Sequence, residues 1–281
     1  VSFDRTRREV FGLAAASALR AAQGNKKVTR YIRYRSNSGV SYGVLDGETV
    51  RQLRGDLFSG PTETGGAHKL ADVKLLHPCT PGKILAVGLN YRSHLGSRPA
   101  PASPEIFYKP VSALLDPDGE IAIPRDATDV HYEGELVVVM GKRARRASPE
   151  QARAAIFGVT CGNDVSERQW QNGPSKDLQW WRAKGSDTFA PLGPAILAGA
   201  DYGKLLLQTR LNGDVVQKQF TSDLLFDCPS IVSWVSQWVT LEPGDVIYTG
   251  TPGSTKKMKP GDKVEVEIEN IGVLRNTVVA S

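Results

Sequence analysis

In the stretch His131-Tyr132-Glu133-Gly134-Glu135-Leu136-Val137-Val138-Val139-Met140-Gly141, a polar start runs straight into an apolar, β-branched series. Residues of this kind in a row read as a strand. Side chains alternate across a strand with period two, so Glu133 and Glu135 share a face with Val137 and Val139. Two carboxylates side by side repel unless a proton or a cation sits between them. On a buried face they also need a polar partner. Taken alone, the Glu-x-Glu pattern has a plainer explanation, a strand end turned to solvent.

Working outward, further polar residues fall at strand ends. Cys161-Gly162-Asn163-Asp164 closes a strand-like run that begins at Ile156, and a helix is predicted over residues 166–171. Asp164 stands where strand gives way to helix, and capping that helix is its bland role. Arg168 and Gln171 follow Asp164 at i+4 and i+7, on one helical face. Three carboxylates from two strands would make a hard, oxygen-rich site suited to Mg²⁺, with Mn²⁺ or Ca²⁺ able to substitute. No His/Cys cluster favours zinc. Asn90-Tyr91-Arg92-Ser93-His94 follows the apolar run of residues 83–89. A lone histidine is more often structural than catalytic, but a loop at the end of a buried strand is where sites concentrate. Trp181-Arg182-Ala183-Lys184-Gly185 leads to Pro191-Leu192-Gly193-Pro194, and Thr249-Gly250-Thr251-Pro252 follows the run Asp245-Val246-Ile247-Tyr248. Glycines there let the backbone approach a ligand, or simply make a tight turn.

The remainder is rich in strands and poor in helices. Residues 205–220 form a hairpin whose turn is Asn212-Gly213, the dipeptide suited to positive φ. Pro-Gly-Asp turns at 243–245 and 260–262 precede the last strands. Helices are predicted at 149–155, after Ser148 as a cap, and at 229–239, with Ile231, Val235, Trp238 and Val239 on one face. No regular alternation of strand and helix appears, which disfavours a TIM barrel or a Rossmann sheet. Three units are expected: an arm over residues 1–27, a small β-rich unit at 28–76, and a main domain over 77–281.

Composition narrows the functional classes. The chain has 281 residues, 40% hydrophobic and 23% charged, and no apolar run reaches the length of a membrane-spanning helix. Of the net +5, two charges come from the first 24 residues, where Arg5, Arg7, Arg8 and Arg20 outweigh Asp4 and Glu9. The remaining +3 is too sparse for a nucleic-acid interface and suits a small anionic substrate. Cys79, Cys161 and Cys228 form neither a disulfide framework nor a zinc pattern, and read as small buried hydrophobes. Near the start, Arg7-Arg8 followed by a short apolar, small-residue run has the parts of a twin-arginine export signal, with a cytoplasmic N-terminal arm as the alternative.

Asn-Tyr-x-x-His at 90–94, Phe-x-Lys-Pro at 107–110, Glu-x-Glu at 133–135, Asn-Asp-Val-Ser-x-Arg-x-x-Gln at 163–171, a Lys-Gly segment before Pro-Leu-Gly-Pro, then Asn-Gly, Pro-Gly-Asp and Thr-Gly-Thr-Pro occur in that order. This series resembles the fumarylacetoacetate hydrolase family, and residues 28–76 resemble the small N-terminal domain of many members. The resemblance implies a mixed β-roll fold and a homodimer. It implies a Mg²⁺ or Mn²⁺ site on Glu133, Glu135 and Asp164, with His94 as general base and Lys184 as an electrostatic and positioning group. Tyr91, Lys109, Arg168, Gln171 and Thr251 would contact the substrate. The implied reaction is hydrolytic C–C cleavage of a β-diketo or acylpyruvate-type acid through a metal-bound enolate. Decarboxylation, isomerisation or tautomerisation, or a ureidoglycolate-type lyase reaction are the alternatives on the same fold, and a non-catalytic binding protein is a remoter one. One departure stands out: where many relatives place a glutamate three residues after the histidine, this chain has Ser97. Glu105 is a nearby carboxylate in sequence.

Overall fold

The computed structural model describes residues 27–281, so the segment read as an export signal lies outside the described residues. Strands dominate, as expected. A twelve-stranded sheet carries the functional residues. Its order runs Thr62–Lys69, Thr49–Arg54, Gly39–Asp46, Thr29–Ser36, Ala190–Ala198, Ile156–Asn163, Gly134–Met140, Val246–Tyr248, Ile84–Gly88 and Glu105–Lys109, with two short strands pairing at its sides. The N-terminal hairpins thus extend the same sheet, because Thr29–Ser36 pairs antiparallel with Ala190–Ala198. A second sheet of five strands contains the Asn212-Gly213 hairpin and the C-terminal strands.

The strand Gly134–Met140 lies at the centre and is buried throughout. Leu136, Val138 and Met140 join one cluster with Leu207, Val266 and Ile231, while Val137 and Val139 join another with Ile84, Ile196 and Tyr248. Period-two alternation therefore feeds two cores from one strand. A single slip in register would exchange them, so the position of Glu135 at the strand's start is strongly specified.

The helices are short and peripheral. Pro149–Ala155 is helical as expected, closed by a capping box between Ser148 and Gln151. The helix expected at 229–239 runs Cys228–Ser236, capped by Asp227. The one expected at 166–171 is displaced: Ser166–Glu167 pairs as a strand with Val130–His131, and only Arg168–Asn172 is helical. The cause is Glu167, whose side chain accepts from the Trp170 backbone N–H and so starts the helix after itself. All three cysteines are buried. Among the described residues no helix is long and apolar enough to cross a membrane.

Candidate active site

Two chain segments meet at one end of the central strand. Glu133 precedes the strand, Glu135 lies within it, and Asp164 directly follows its antiparallel neighbour Ile156–Asn163. The segments are tied by hydrogen bonds from Asp164 N to Glu133 O and from Glu133 N to Asn163 Oδ1, both 2.8 Å. The intervening residue must be glycine: a Cβ on Gly134 would come within 2.0 Å of Thr209 Oγ1. As a result one oxygen from each of Glu133, Glu135 and Asp164 lies within 4.8 Å of the others, and all three side chains are buried.

Cations compensate this charge unevenly. Lys184 Nζ donates to Glu133 Oε2 and to Asp164 Oδ2, both at 2.6 Å. Lys109 Nζ donates to Asp164 Oδ1 at 2.5 Å and also to the Lys184 carbonyl. Arg168 Nη2 donates to Glu133 Oε1 at 2.5 Å. Burial would raise the Glu133 carboxyl, but the charges of Arg168 and Lys184 outweigh it and hold Glu133 well below the usual range. Burial would likewise lower Lys184, yet Asp164 and Glu133 keep it above the ordinary lysine value.

Glu135 differs. Among the described residues its carboxylate has one hydrogen-bond donor, the Gly250 backbone N–H, 2.7 Å from Oε2. Gly250 has φ +102, and a Cβ there would press on Asn90, so glycine is what lets this N–H approach. Burial first, then the facing charges of Asp164 and Glu133, push the Glu135 carboxyl well above its ordinary range. A buried carboxylate facing two others, and ion-paired to no cation among the described residues, fits a divalent ion bound through oxygen donors.

His94 lines the same cavity, which has a volume of about 160 Å³. Its Nδ1–H donates to the Gly253 carbonyl. In the neutral ring this leaves the Nε2 lone pair free to take a proton. Among the described residues no carboxylate hydrogen-bonds to His94 in place of the glutamate that Ser97 stands for; Glu105 sits on the edge strand Glu105–Lys109.

The other expected site residues divide. Arg168, Gln171, Lys184 and Thr251 line the cavity. Arg168 Nη1 donates to Gln171 Oε1 at 2.7 Å. Thr251 is tied into the framework, donating to the Gly134 carbonyl and accepting from Gln217 Nε2. Lys109 lies behind Asp164, wholly buried. Tyr91 is buried in the core against Leu136 and Leu224, outside the cavity lining. Phe107 and Trp180, with ring centroids 5.4 Å apart, form an aromatic wall that sequence reasoning did not assign.

The description Fumarylacetoacetate (FAA) hydrolase C-terminal matches residues 83–279, which contain every residue of this site. The chain belongs to the fumarylacetoacetate hydrolase family. Residues 29–78 match a second description, Rv2993c-like, N-terminal. Among relatives in this family, Protein Rv2993c of Mycobacterium tuberculosis is 44% identical over 260 residues, covering 88% of this chain and 97% of that one. Mitochondrial oxaloacetate tautomerase FAHD2A of Homo sapiens is 41% identical over 225 residues, covering 74% and 70%. The crystal structure of 2-hydroxyhepta-2,4-diene-1,7-dioate isomerase from Mycobacterium marinum superposes with a TM-score of 0.83 at 41% identity, covering 90% and 99%. As a member of the fumarylacetoacetate hydrolase family, the chain is an enzyme.

Proposed function

We propose that this enzyme interconverts the keto and enol forms, or the related double-bond isomers, of a small dianionic 2-oxo acid. The observation that carries this reading is His94, held at Nδ1 by a neutral carbonyl and facing a buried acidic cluster. A carboxylate behind the imidazole would stabilise the imidazolium while water attacked. With a neutral carbonyl there instead, His94 is left as a group that takes up one proton and passes it on. That suits tautomerisation, in which one proton moves between carbon and oxygen, better than the hydrolytic cleavage expected from the resemblance. Support also comes from the relatives named as an oxaloacetate tautomerase and as a dienedioate isomerase.

Glu133, Glu135 and Asp164 would hold Mg²⁺ or Mn²⁺, which supplies Lewis-acid polarisation of a bound carbonyl. The chain's own groups do the rest. His94 Nε2 takes a proton from the carbon next to the carbonyl and returns it to the alternative position. Lys184 has three N–H donors, two of them engaged by Glu133 and Asp164, so the third can face the substrate's developing oxyanion. Charge supports a dianion: once Glu135 ionises to serve as a ligand, Lys109, Lys184 and Arg168 would balance the three carboxylates, and a divalent cation would leave an excess of positive charge. Phe107 and Trp180 would give the bound substrate an apolar wall.

The reading also takes the enzyme as a homodimer. The edge strand Glu105–Lys109 ends the large sheet, and exposed Tyr108, Val111, Leu178 and Trp181 border one groove beside it. An open edge flanked by apolar side chains suits a second copy, which sedimentation would reveal.

The test is a direct partition of activities with Mg²⁺-loaded protein. Enol decay of oxaloacetate is followed by ultraviolet absorbance, and acid release from acylpyruvates by chromatography. Accelerated interconversion without acid release supports the proposal. Acylpyruvate hydrolysis without accelerated interconversion overturns it.

A further inference from the structure

Behind the cavity lies a chain of polar groups that the proposed chemistry does not use. Arg168 Nη2 donates to Thr255 Oγ1 at 2.8 Å, in addition to its bond to Glu133. Thr255 Oγ1 is 2.9 Å from His131 Nδ1, and His131 Nε2 is 3.0 Å from Asp129 Oδ1. The acceptors fix a direction. A carboxylate oxygen can only accept, so His131 Nε2–H donates to Asp129. In the neutral ring Nδ1 then accepts the Thr255 hydroxyl proton, and the Thr255 oxygen accepts from Arg168. Asp129 is itself anchored: its N–H donates to Glu167 Oε1 at 2.8 Å, and its carbonyl accepts from Arg168 N at 2.9 Å. The relay joins three separate segments, at 129–133, 166–171 and 255.

We propose that Asp129, His131 and Thr255 are positioning residues that hold the Arg168 guanidinium so that its free N–H groups face a substrate carboxylate. Arg168 has five N–H donors. Glu133, Thr255 and Gln171 engage three, on Nη2 and Nη1. Two remain, on Nε and Nη1, while Gln171 and the guanidinium both border the cavity. A guanidinium is a rigid fork whose value for a carboxylate depends on its angle as well as its charge. Glu133 and Gln171 each supply one acceptor, on Nη2 and Nη1, and Thr255 adds a second acceptor on Nη2, so that this nitrogen is fixed at two points. The inference rests on the reading of this site as one for a small dianion.

Thr255→Val removes the acceptor at nearly constant volume, Thr255→Ser retains it, and His131→Leu breaks the relay one step back. For each folded, Mg²⁺-loaded variant, oxalate affinity is measured by titration calorimetry and KM and kcat by oxaloacetate enol decay. Thr255→Val and His131→Leu should both weaken oxalate about tenfold and raise KM about tenfold, with kcat within about twofold, because an interaction common to ground and transition states moves KM alone. Thr255→Ser should restore both values. Loss of kcat at unchanged KM, or unchanged oxalate affinity in Thr255→Val, overturns the relay. Wild-type protein that does not bind oxalate overturns it as well. Should the wild type bind oxalate but not turn over oxaloacetate, the function proposed above fails while the titration still decides the relay.

Discussion

Replacing Glu135 with Gln should stabilise the metal-free protein and abolish its response to metal, two effects of opposite sign from one substitution. At 4.8 Å, the limit within which the triad's facing oxygens lie, like charges repel by about 3.5 kcal/mol with an effective dielectric constant of about 20. Glu135 faces two such neighbours, and Lys184 offsets part of the repulsion. The protein relieves more of it by protonating Glu135. The folded state therefore holds a proton that the unfolded state has released, and stability of the metal-free protein falls as pH rises from the ordinary glutamate value of 4.5 towards the raised one. Gln removes the charge, and its Oε1 can still accept from Gly250 N–H while its Nε2 donates towards Asp164 or Glu133. A net gain of about 1–2 kcal/mol at pH 8 is expected, worth roughly 2–8 °C in Tm, with a smaller gain at pH 5. Wild-type protein at about a hundred times the metal Kd should gain about 2.7 kcal/mol, and Glu135→Gln nothing comparable. Thermal unfolding at both pH values, with chelator and with Mg²⁺, measures all of this. A metal-free Glu135→Gln less stable than wild type at pH 8, or one that Mg²⁺ stabilises fully, would refute the reasoning.

Metal binding to the wild type should release protons, because the raised Glu135 carboxyl must ionise to serve as a ligand; calorimetry in buffers of different ionisation enthalpy reads this directly. His94→Gln should lower turnover by about 10²- to 10⁴-fold and leave Mg²⁺ affinity unchanged in the same titration. Gly134→Ala should destabilise the protein by about 1–3 kcal/mol, since its Cβ would meet Thr209 Oγ1 at 2.0 Å, and Mg²⁺ affinity should fall with it as Glu133 and Glu135 move apart.

What the sequence discloses is mostly what one strand or one turn determines. The apolar run after Glu135 gives the central strand, Ser148 and Gln151 give a capped helix, and Asn212-Gly213 gives a hairpin. The ordered motifs identify the family and bring forward Glu133, Glu135, Asp164, Lys184 and His94. The spacing around Asp164 is misleading about local structure, because Glu167 is both paired in a strand and the cap of the next helix. Roles that depend on distant segments are hidden. Gln217, on a hairpin strand of the second sheet, ties Gly134 to Thr251, and no local pattern marks it. The Thr255–His131–Asp129 relay and the Phe107–Trp180 wall arise the same way, from residues distant in sequence that only the tertiary fold brings together. Tyr91 lies in a recognisable motif, yet its place beside a strand end buries it in the core.

The central claim, that the acidic triad and His94 form a metal-dependent tautomerase, is tested most directly by the rate of oxaloacetate enol decay with metal-stripped protein before and after Mg²⁺ is restored. The account predicts no acceleration by stripped protein, recovery with Mg²⁺, and no recovery in Glu135→Gln. Full acceleration by the stripped protein would contradict it.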